Sequence, residues 1–235
     1  MFLSIVIPAY NEEKRIGDTI QAIHNFMEAR GEVYEVIVVD DGSVDMTCDV
    51  AEGSILAQNG RLKIIHNGKN RGKGFSVKNG ILSSSGEYVL ICDADMSTPI
   101  SELDKLFVNC GDKTPVVIGS RSLDDSSVGI RQPWYREKMG KIFNFFVRLL
   151  ILNGFRDTQC GFKLIRGDVA REIGKDLKIE GFCFDVEILY IANKRGYGIK
   201  EVGVVWDDSS QSKVKILNSS SGMFLDLLKI KEFHG

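Results

Sequence analysis

The stretch Ile91-Cys92-Asp93-Ala94-Asp95-Met96-Ser97-Thr98 joins an apolar run to a pair of carboxylates. Val89 to Cys92 is wholly apolar and reads as a strand buried on both faces. Two aspartates then follow two positions apart. In an extended chain such residues point to one side, so Asp93 and Asp95 are expected to aim their charges into one small volume. At ~4 Å and an effective dielectric of ~20, two like charges repel by about 4 kcal/mol. A divalent cation turns that repulsion into attraction, and a hard ion such as Mg²⁺ or Mn²⁺ takes one or two carboxylates together with substrate phosphates. The competing reading is that both aspartates cap the turn before a helix starting near Pro99.

Outward from this stretch, strands and helices alternate. Phe2 to Ile7 is a strand closed by Pro8, and Asn11 to about Arg30 has apolar residues at helical spacing before Gly31. Val33 to Val39 is a second strand, roughly Asp45 to Gln58 a helix, Leu62 to His66 a strand, Gly74 to Ser84 a helix and Tyr88 to Cys92 a strand. This alternation predicts an α/β fold with a parallel sheet and helices on both faces. Ligands of such sheets bind beyond the carboxyl ends of the strands. Polar residues gather there: Pro8 to Glu12, Asp40-Asp41, Asn67 to Lys73 and Asp93 to Asp95.

The second half is less regular. Pro115 to Ser120 reads as a strand, Ser122 to Arg131 as a loop, and Pro133 to about Asn153 as a helix stopped by Gly154. Asp157 to Ile165 is expected to be extended, Phe184 to Asn193 helical, Glu201 to Trp206 a last strand, Asp207 to Lys213 a polar loop and Met223 to Phe233 a helix. No repeat or linker divides the chain, so residues 1–235 are read as one domain.

Composition narrows the function classes. Hydrophobic residues at 43% and charged residues at 26% are ordinary for a globular protein, and a formal net charge of −2 gives no electrostatic reason to expect a nucleic-acid partner. The five cysteines are scattered without zinc-ligand spacing, which fits small buried hydrophobes in a reducing compartment. The opening apolar run is too short for a signal peptide, and no uninterrupted run reaches the ~18 residues that span a bilayer.

Two nucleotide-binding schemes fail on spacing. Pro8-Ala9-Tyr10-Asn11-Glu12-Glu13 lacks the glycines with which a dinucleotide fold lets backbone approach a pyrophosphate. Gly68 to Gly74 has neither P-loop spacing nor a Ser or Thr after Lys73. A nucleotide held by side chains and a metal remains.

Val6-Ile-Pro-Ala-Tyr-Asn-Glu-Glu13, Val38-Val-Asp-Asp-Gly-Ser43, Gly72-Lys-Gly74, Asp93-Ala-Asp95 and Gly119-Ser-Arg121 together resemble the family-2 glycosyltransferases of GT-A fold, whose sheet is mixed but mostly parallel. Asp157-Thr-Gln-Cys-Gly-Phe-Lys163 and Phe184-Asp-Val-Glu-Ile-Leu189 resemble the dolichyl-phosphate glucosyltransferase branch, with the mannose synthases close by. The resemblance runs from Phe2 to about Lys215. It implies that Pro8, Tyr10, Glu12 and Asp40 line a base and ribose pocket, with Asp93 and Ala94 beside the ribose and diphosphate. It further implies that Asp95, with Asp93, holds Mg²⁺ or Mn²⁺, that Lys73 flanks the nucleotide, and that Arg121 and Arg136 hold an acceptor phosphate. Lys213 would close over the diphosphate, although Gln211 stands where the family usually has glycine. Asp157 is either a general base or a residue that orients the donor sugar or Arg136; Asp185 and Glu187 are further acids nearby, and a helix cap explains Asp185 equally well.

The implied reaction passes glucose from UDP-glucose to dolichyl or another polyprenyl phosphate with inversion. The alternatives are mannose from GDP-mannose, transfer to a saccharide hydroxyl, and a sugar-nucleotide sensor without turnover. A lipid acceptor implies contact with a bilayer. Helices at about 133–153 and 222–233, with Trp134 and Tyr135 before Arg136, could lie in its interface, or could pack on the sheet or on a second subunit. The resemblance implies an N-terminal membrane anchor in eukaryotic glucosyltransferases of this branch generally; no such segment is read in this sequence, so attachment is expected to be reversible. The expected location is therefore cytoplasmic and peripheral to the membrane, at the cytosolic face of the endoplasmic reticulum in a eukaryote.

Overall fold

In a computed structural model, the backbone is described for residues 1–130, 134–208 and 216–235, and the side chains for 1–130, 138–208 and 222–235. The first half follows the alternation: β1 (Leu3–Ala9), α1 (Ile16–Arg30), β2 (Tyr34–Asp40), α2 (Thr47–Glu52), α3 (Ile55–Gln58), β3 (Leu62–His66), α4 (Lys73–Leu82) and β4 (Tyr88–Ile91). A short 3-10 turn, Ile100–Glu102, leads into α5 (Leu103–Asn109) and β5 (Val116–Ser120). Then come β6 (Ser127–Val128), α6 (Trp134–Leu150), β7 (Lys163–Arg166), α7 (Gly167–Asp176), α8 (Phe184–Lys194), β8 (Ile199–Gly203), β9 (Val205–Trp206) and α9 (Ile216–His234).

Seven strands form one sheet in the order β3-β2-β1-β4-β7-β5-β8. All neighbours are parallel except β7, which runs antiparallel to both β4 and β5. The sheet is thus mixed and mostly parallel. The reversal of β7 has a functional consequence: the residues leading into it, Asp157 to Phe162, reach the same edge as the residues leaving β1, β2, β4 and β5.

Strand residues alternate between two apolar layers. Leu3, Ile5, Ile7, Leu90, Val117 and Leu164 face a layer closed by α1, α2, α3 and α5. Val6, Val89, Ile91, Val116, Ile118 and Ile165 face a layer closed by α4, α6, α7, α8 and α9. With helices on both faces, the central strands are buried on both sides, which is why runs such as Val36 to Val39 and Val89 to Ile91 are continuously apolar.

Several expected boundaries move, each for a local reason. The first helix begins at Ile16 rather than Asn11, because Asn11 is left-handed (φ 57°) and the Glu12 N–H donates to Thr47 Oγ1 at 2.7 Å. The helix expected over 45–58 breaks at Gly53, and Ser54 caps a separate short turn by accepting the Ala57 N–H. The expected strand 201–206 is divided between two sheets: β8 extends the main sheet beside β5, while β9 pairs with β6 inside the stretch expected to be loop. Helix α7 was not anticipated. The expected loop 207–213 is described only as far as Asp208, so Lys213 and Gln211 lie outside the described residues, as does the side chain of Arg136.

Candidate active site

The end of β4 is a turn, not an extension of the strand. Met96 is left-handed (φ 50°) and its N–H donates to the Asp93 carbonyl at 3.2 Å. The turn is fixed from α1, where Thr19 Oγ1 donates to the Ala94 carbonyl at 2.7 Å. The expectation that Asp93 and Asp95 share one side of an extended chain is therefore corrected: their charges are met by different partners. Asp93 Oδ1 accepts from Lys73 Nζ at 2.5 Å. Burial works against the Asp93 charge, but Lys73 outweighs it and holds the carboxyl below the ordinary range. Burial likewise opposes the Lys73 charge, and Asp93 overcomes it, raising that pKa.

Gly161 fits against this carboxylate. A Cβ placed there would stand 2.2 Å from Asp93 Oδ2, so the glycine of Gln159-Cys160-Gly161 makes room for Asp93. The glycines of Gly72-Lys73-Gly74 do more than form a turn. A Cβ at Gly72 would meet the Glu180 carbonyl at 2.3 Å and one at Gly74 the Ile179 carbonyl at 2.2 Å, while the Gly74 N–H donates to Glu180 O at 2.8 Å. The close approach sets where α4 begins, and hence where Lys73 stands.

Asp95 has the more open carboxylate. Its side chain is 21% exposed, and Arg15 approaches Oδ2 at 3.7 Å. Its Oδ1 accepts from the Ser97 N–H at 3.1 Å and the Ser97 hydroxyl at 2.9 Å, so the capping role expected as the alternative is present for one oxygen. A carboxylate is a ligand type that hard divalent ions take, so Asp95 could hold one through its other oxygen. Asp93, committed to Lys73, fits a metal less well than expected.

At the end of β1, Arg15 Nε donates to Glu12 Oε2 at 2.5 Å, so one guanidinium ties Glu12 to Asp95. Tyr10 is 41% exposed and Pro8 half-buried, beside the buried end of β2. There Asp40 Oδ1 accepts the Ser43 N–H at 3.0 Å. Burial opposes its charge, yet Ser43 and His66 hold its pKa below the usual carboxylate range. Asp41 organises the next loop: Oδ1 accepts from Asn67 Nδ2 at 2.8 Å and the Arg71 N–H at 3.0 Å, and Oδ2 from the Gly72 N–H at 2.8 Å.

At the end of β5, Arg121 is clamped by Asp157. Its Nε and Nη2 donate at 2.7 and 2.9 Å to the two carboxylate oxygens, and its backbone N–H donates at 3.0 Å. The guanidinium also lies over the Trp206 ring, 5.3 Å from its centre. Burial would raise the Asp157 pKa, but Arg121 and its hydrogen bonds hold it low. A carboxylate so engaged is a weak base, and its geometry is that of an orienting residue whose partner is Arg121. Asp157 is itself set by Glu201, which accepts the Arg156 and Asp157 N–H groups at 2.9 and 2.7 Å.

Below the site, fully buried Lys163 pairs with Asp185. Burial dominates at Asp185 and raises its pKa despite Lys163. Glu187 accepts the Lys178 and Ile179 N–H groups at 2.9 Å each, anchoring the segment on which Gly72 and Gly74 rest. Both acids are therefore structural supports of the site in this arrangement.

The edge thus gathers residues expected from sequence (Pro8, Tyr10, Glu12, Asp40, Lys73, Asp93, Ala94, Asp95, Arg121 and Asp157) from β1, β2, α4, β4, β5 and the approach to β7. Sequence reasoning gave no role to Arg15, Gly161 or Glu201. A signal for Arg15 was present, since it stands three residues after Glu12 at the entry to a helix.

A mostly parallel sheet with acids at the ends of β1, β2 and β4 and one reversed strand defines the GT-A class of glycosyltransferase. Solved structures share this fold. Glucosyl-3-phosphoglycerate synthase from Mycobacterium tuberculosis in complex with phosphoglyceric acid superimposes with a TM-score of 0.73 at 20% identity, covering 97% of this chain and 79% of that one. The same enzyme with Mn²⁺, uridine diphosphate and phosphoglyceric acid gives a TM-score of 0.71 at 20% identity, covering 97% and 78%. Mannosyl-3-phosphoglycerate synthase from Rubrobacter xylanophilus gives 0.69 at 21% identity, covering 99% and 73%.

The family described as Glycosyl transferase family 2 matches residues 4–174. The dolichyl-phosphate beta-glucosyltransferase of Dictyostelium discoideum is 36% identical over 242 residues, 98% of this chain and 74% of that protein. Its Mus musculus and Homo sapiens counterparts are 39% and 38% identical, each match covering 97% of this chain and 74% of the relative. The chain belongs to glycosyl transferase family 2 and is, like these relatives, a hexosyltransferase.

Proposed function

We propose that the enzyme transfers glucose from UDP-glucose to dolichyl or a similar polyprenyl phosphate, with inversion and with the help of Mg²⁺ or Mn²⁺. The observation that carries this reading is the division of labour at the end of β4: Asp93 is neutralised by Lys73 while Asp95 presents a partly exposed carboxylate. The names of the relatives support the acceptor and the sugar, and a structural neighbour crystallised with Mn²⁺ and uridine diphosphate supports the metal and the base.

In this reading Pro8, Tyr10, Glu12 and Asp40 receive the base and ribose, with Asp93, Ala94 and Lys73 alongside the ribose and diphosphate. Asp95 would hold the cation, which when bound neutralises charge building on the leaving diphosphate. Lys213, outside the described residues, would supply a further positive charge to the same diphosphate. The acceptor is a phosphate monoester with a second pKa of ~6, so near neutral pH it is already an anionic nucleophile and needs no base. The site's task is to position it. Arg121 and Arg136 take that role, since a planar guanidinium meets phosphate oxygens two at a time. Asp157 holds Arg121 in place. Its engaged, low-pKa carboxylate counts against transfer to a saccharide hydroxyl, which would require a base.

The lipid acceptor would be met at a membrane surface, in a eukaryote the cytosolic face of the endoplasmic reticulum. Among the described residues no helix is long and apolar enough to cross a membrane. Helix α6 buries Phe143 and Val147 but exposes Ile142, Phe145 and Leu149, by 55, 54 and 65%. It packs on α9 through Phe224, whose ring centre lies 5.0 Å from that of Phe146, and α9 exposes Leu225 and Leu228. Such an apolar face fits peripheral insertion.

The test is transfer of radiolabelled sugar to polyprenyl phosphate from UDP-glucose and, separately, from GDP-mannose. Product from UDP-glucose alone is expected. Product from GDP-mannose alone would make the enzyme a mannose synthase, and none from either would favour a sugar-nucleotide sensor.

A further inference from the structure

A second cluster of metal-ligating side chains lies at the same sheet edge, away from Asp95. Asp40 and His66 are register partners at the ends of β2 and β3, and Cys48 stands in the first turn of α2. His66 Nδ1 lies 3.5 Å from Asp40 Oδ2 and 3.8 Å from Cys48 Sγ, and one ligand atom from each of the three lies within 4.8 Å of the others. Zinc bonds of about 2.0–2.3 Å to nitrogen, oxygen and sulfur span tetrahedral edges of roughly 3.3–3.8 Å. Two of the three edges are therefore already near the length an ion requires.

The chemistry of the set is as informative as its spacing. One imidazole, one thiolate and one carboxylate suit zinc-like ions and not Mg²⁺, which prefers oxygen alone. The ligands are held on regular elements. Asp40 is fixed through its other oxygen by the Ser43 N–H, and α2 is held at its start by the Thr47 hydroxyl on the Glu12 N–H. Asp40 is buried, but His66 is 54% exposed, so the fourth position opens to solvent and a water can complete the tetrahedron.

We infer that Asp40, Cys48 and His66 form a binding site for a zinc-like divalent ion, separate from the cation site at Asp95. Binding releases the thiol proton of Cys48 to solvent and leaves the metal with three protein ligands and an open position. A consequence, which rests on the glycosyl-transfer reading, is that the ion and the base of the sugar nucleotide compete for the Asp40 carboxylate. Zinc would then inhibit the enzyme by excluding its donor, while Mg²⁺ and Mn²⁺ would not.

The test uses the full chain stripped of metal and titrated with Co²⁺ alone. A thiolate-to-cobalt charge-transfer band is expected in the near ultraviolet, saturating at one ion per chain and displaced by Zn²⁺. Cys48→Ser should abolish the band, and His66→Ala should weaken Co²⁺ binding at least about 10-fold, with the metal-free melting temperatures of both variants close to the parent's. No band, or a band that survives Cys48→Ser, overturns the site. A second arm adds uridine diphosphate with excess Mg²⁺. A rise in the apparent Co²⁺ dissociation constant with nucleotide supports the overlap, and no rise while the nucleotide demonstrably binds overturns it. If the nucleotide does not bind at all, the glycosyl-transfer reading fails, and the cobalt spectrum still decides the metal site by itself.

Discussion

Asp157→Asn isolates the clamp on Arg121. In the parent, Oδ2 accepts from Arg121 Nε and the Arg121 N–H, and Oδ1 from Arg121 Nη2 and the Gln159 N–H. Asparagine keeps one oxygen, so two of these four bonds are lost and an NH₂ group faces donors. Charged hydrogen bonds contribute about 1.5–3 kcal/mol each, and breaking a buried ion pair costs about 3–5 kcal/mol. Because the Arg121 side chain is 25% exposed, water recovers part of the loss and the lower end, about 3 kcal/mol, is expected. For a chain of this size that lowers Tm by about 6–12 °C. The sign with pH follows from linkage. The folded pKa of Asp157 lies below its unfolded value, so its stabilisation is present above about pH 4 and lost as pH falls through the folded pKa. Scanning calorimetry of parent and variant should therefore show the full gap at pH 7 and a gap that shrinks as pH falls from about 4 through the lower folded pKa, beneath which the parent's carboxyl is itself neutral. A variant that melts within about 1 °C of the parent at pH 7, or a gap that stays constant into acid, would refute the clamp.

Gly161→Ala places a methyl 2.2 Å from Asp93 Oδ2 and should cost about 1–3 kcal/mol by urea denaturation, with weakened UDP binding; unchanged values would show that the carboxylate moves aside freely. Replacing Ile142, Phe145 and Leu149 together by serine should reduce sedimentation with anionic lipid vesicles several-fold without altering the melting temperature, because all three are exposed. Retained vesicle binding would assign that face to something other than lipid. Arg136→Ala should depress transfer while leaving nucleotide affinity nearly intact, and equal loss of both would move the acceptor subsite elsewhere.

The sheet was legible because its strands are buried on both faces: a run such as Val36 to Val39 has no polar residue to obscure it. The carboxyl-end cluster was legible for the same reason, since Asp40 and Asp93 stand directly after such runs. What could not be read depends on contacts distant in sequence. That Asp93 pairs with Lys73, and Arg121 with Asp157, follows from the packing of α4 and the reversal of β7, neither of which leaves a local mark. A turn capped by the aspartates was one of two readings, but its left-handed Met96 leaves no compositional signature that would favour it over the extended one. The split of 201–206 between two sheets was missed because Val204 and Trp206 continue the apolar pattern past the point where the hydrogen bonds change partner.

The proposed reaction depends on a cation that would join Asp95 to the diphosphate of the sugar donor. Calorimetric binding of UDP-glucose to the parent and to Asp95→Asn, each with Mn²⁺ and then with EDTA, tests it most directly. Tight binding by the parent with Mn²⁺, lost about 10²-fold or more in EDTA and equally in Asp95→Asn whether or not Mn²⁺ is present, is the expected result. Donor affinity in the parent that is indifferent to EDTA, or a variant that still responds to Mn²⁺ as the parent does, would contradict it.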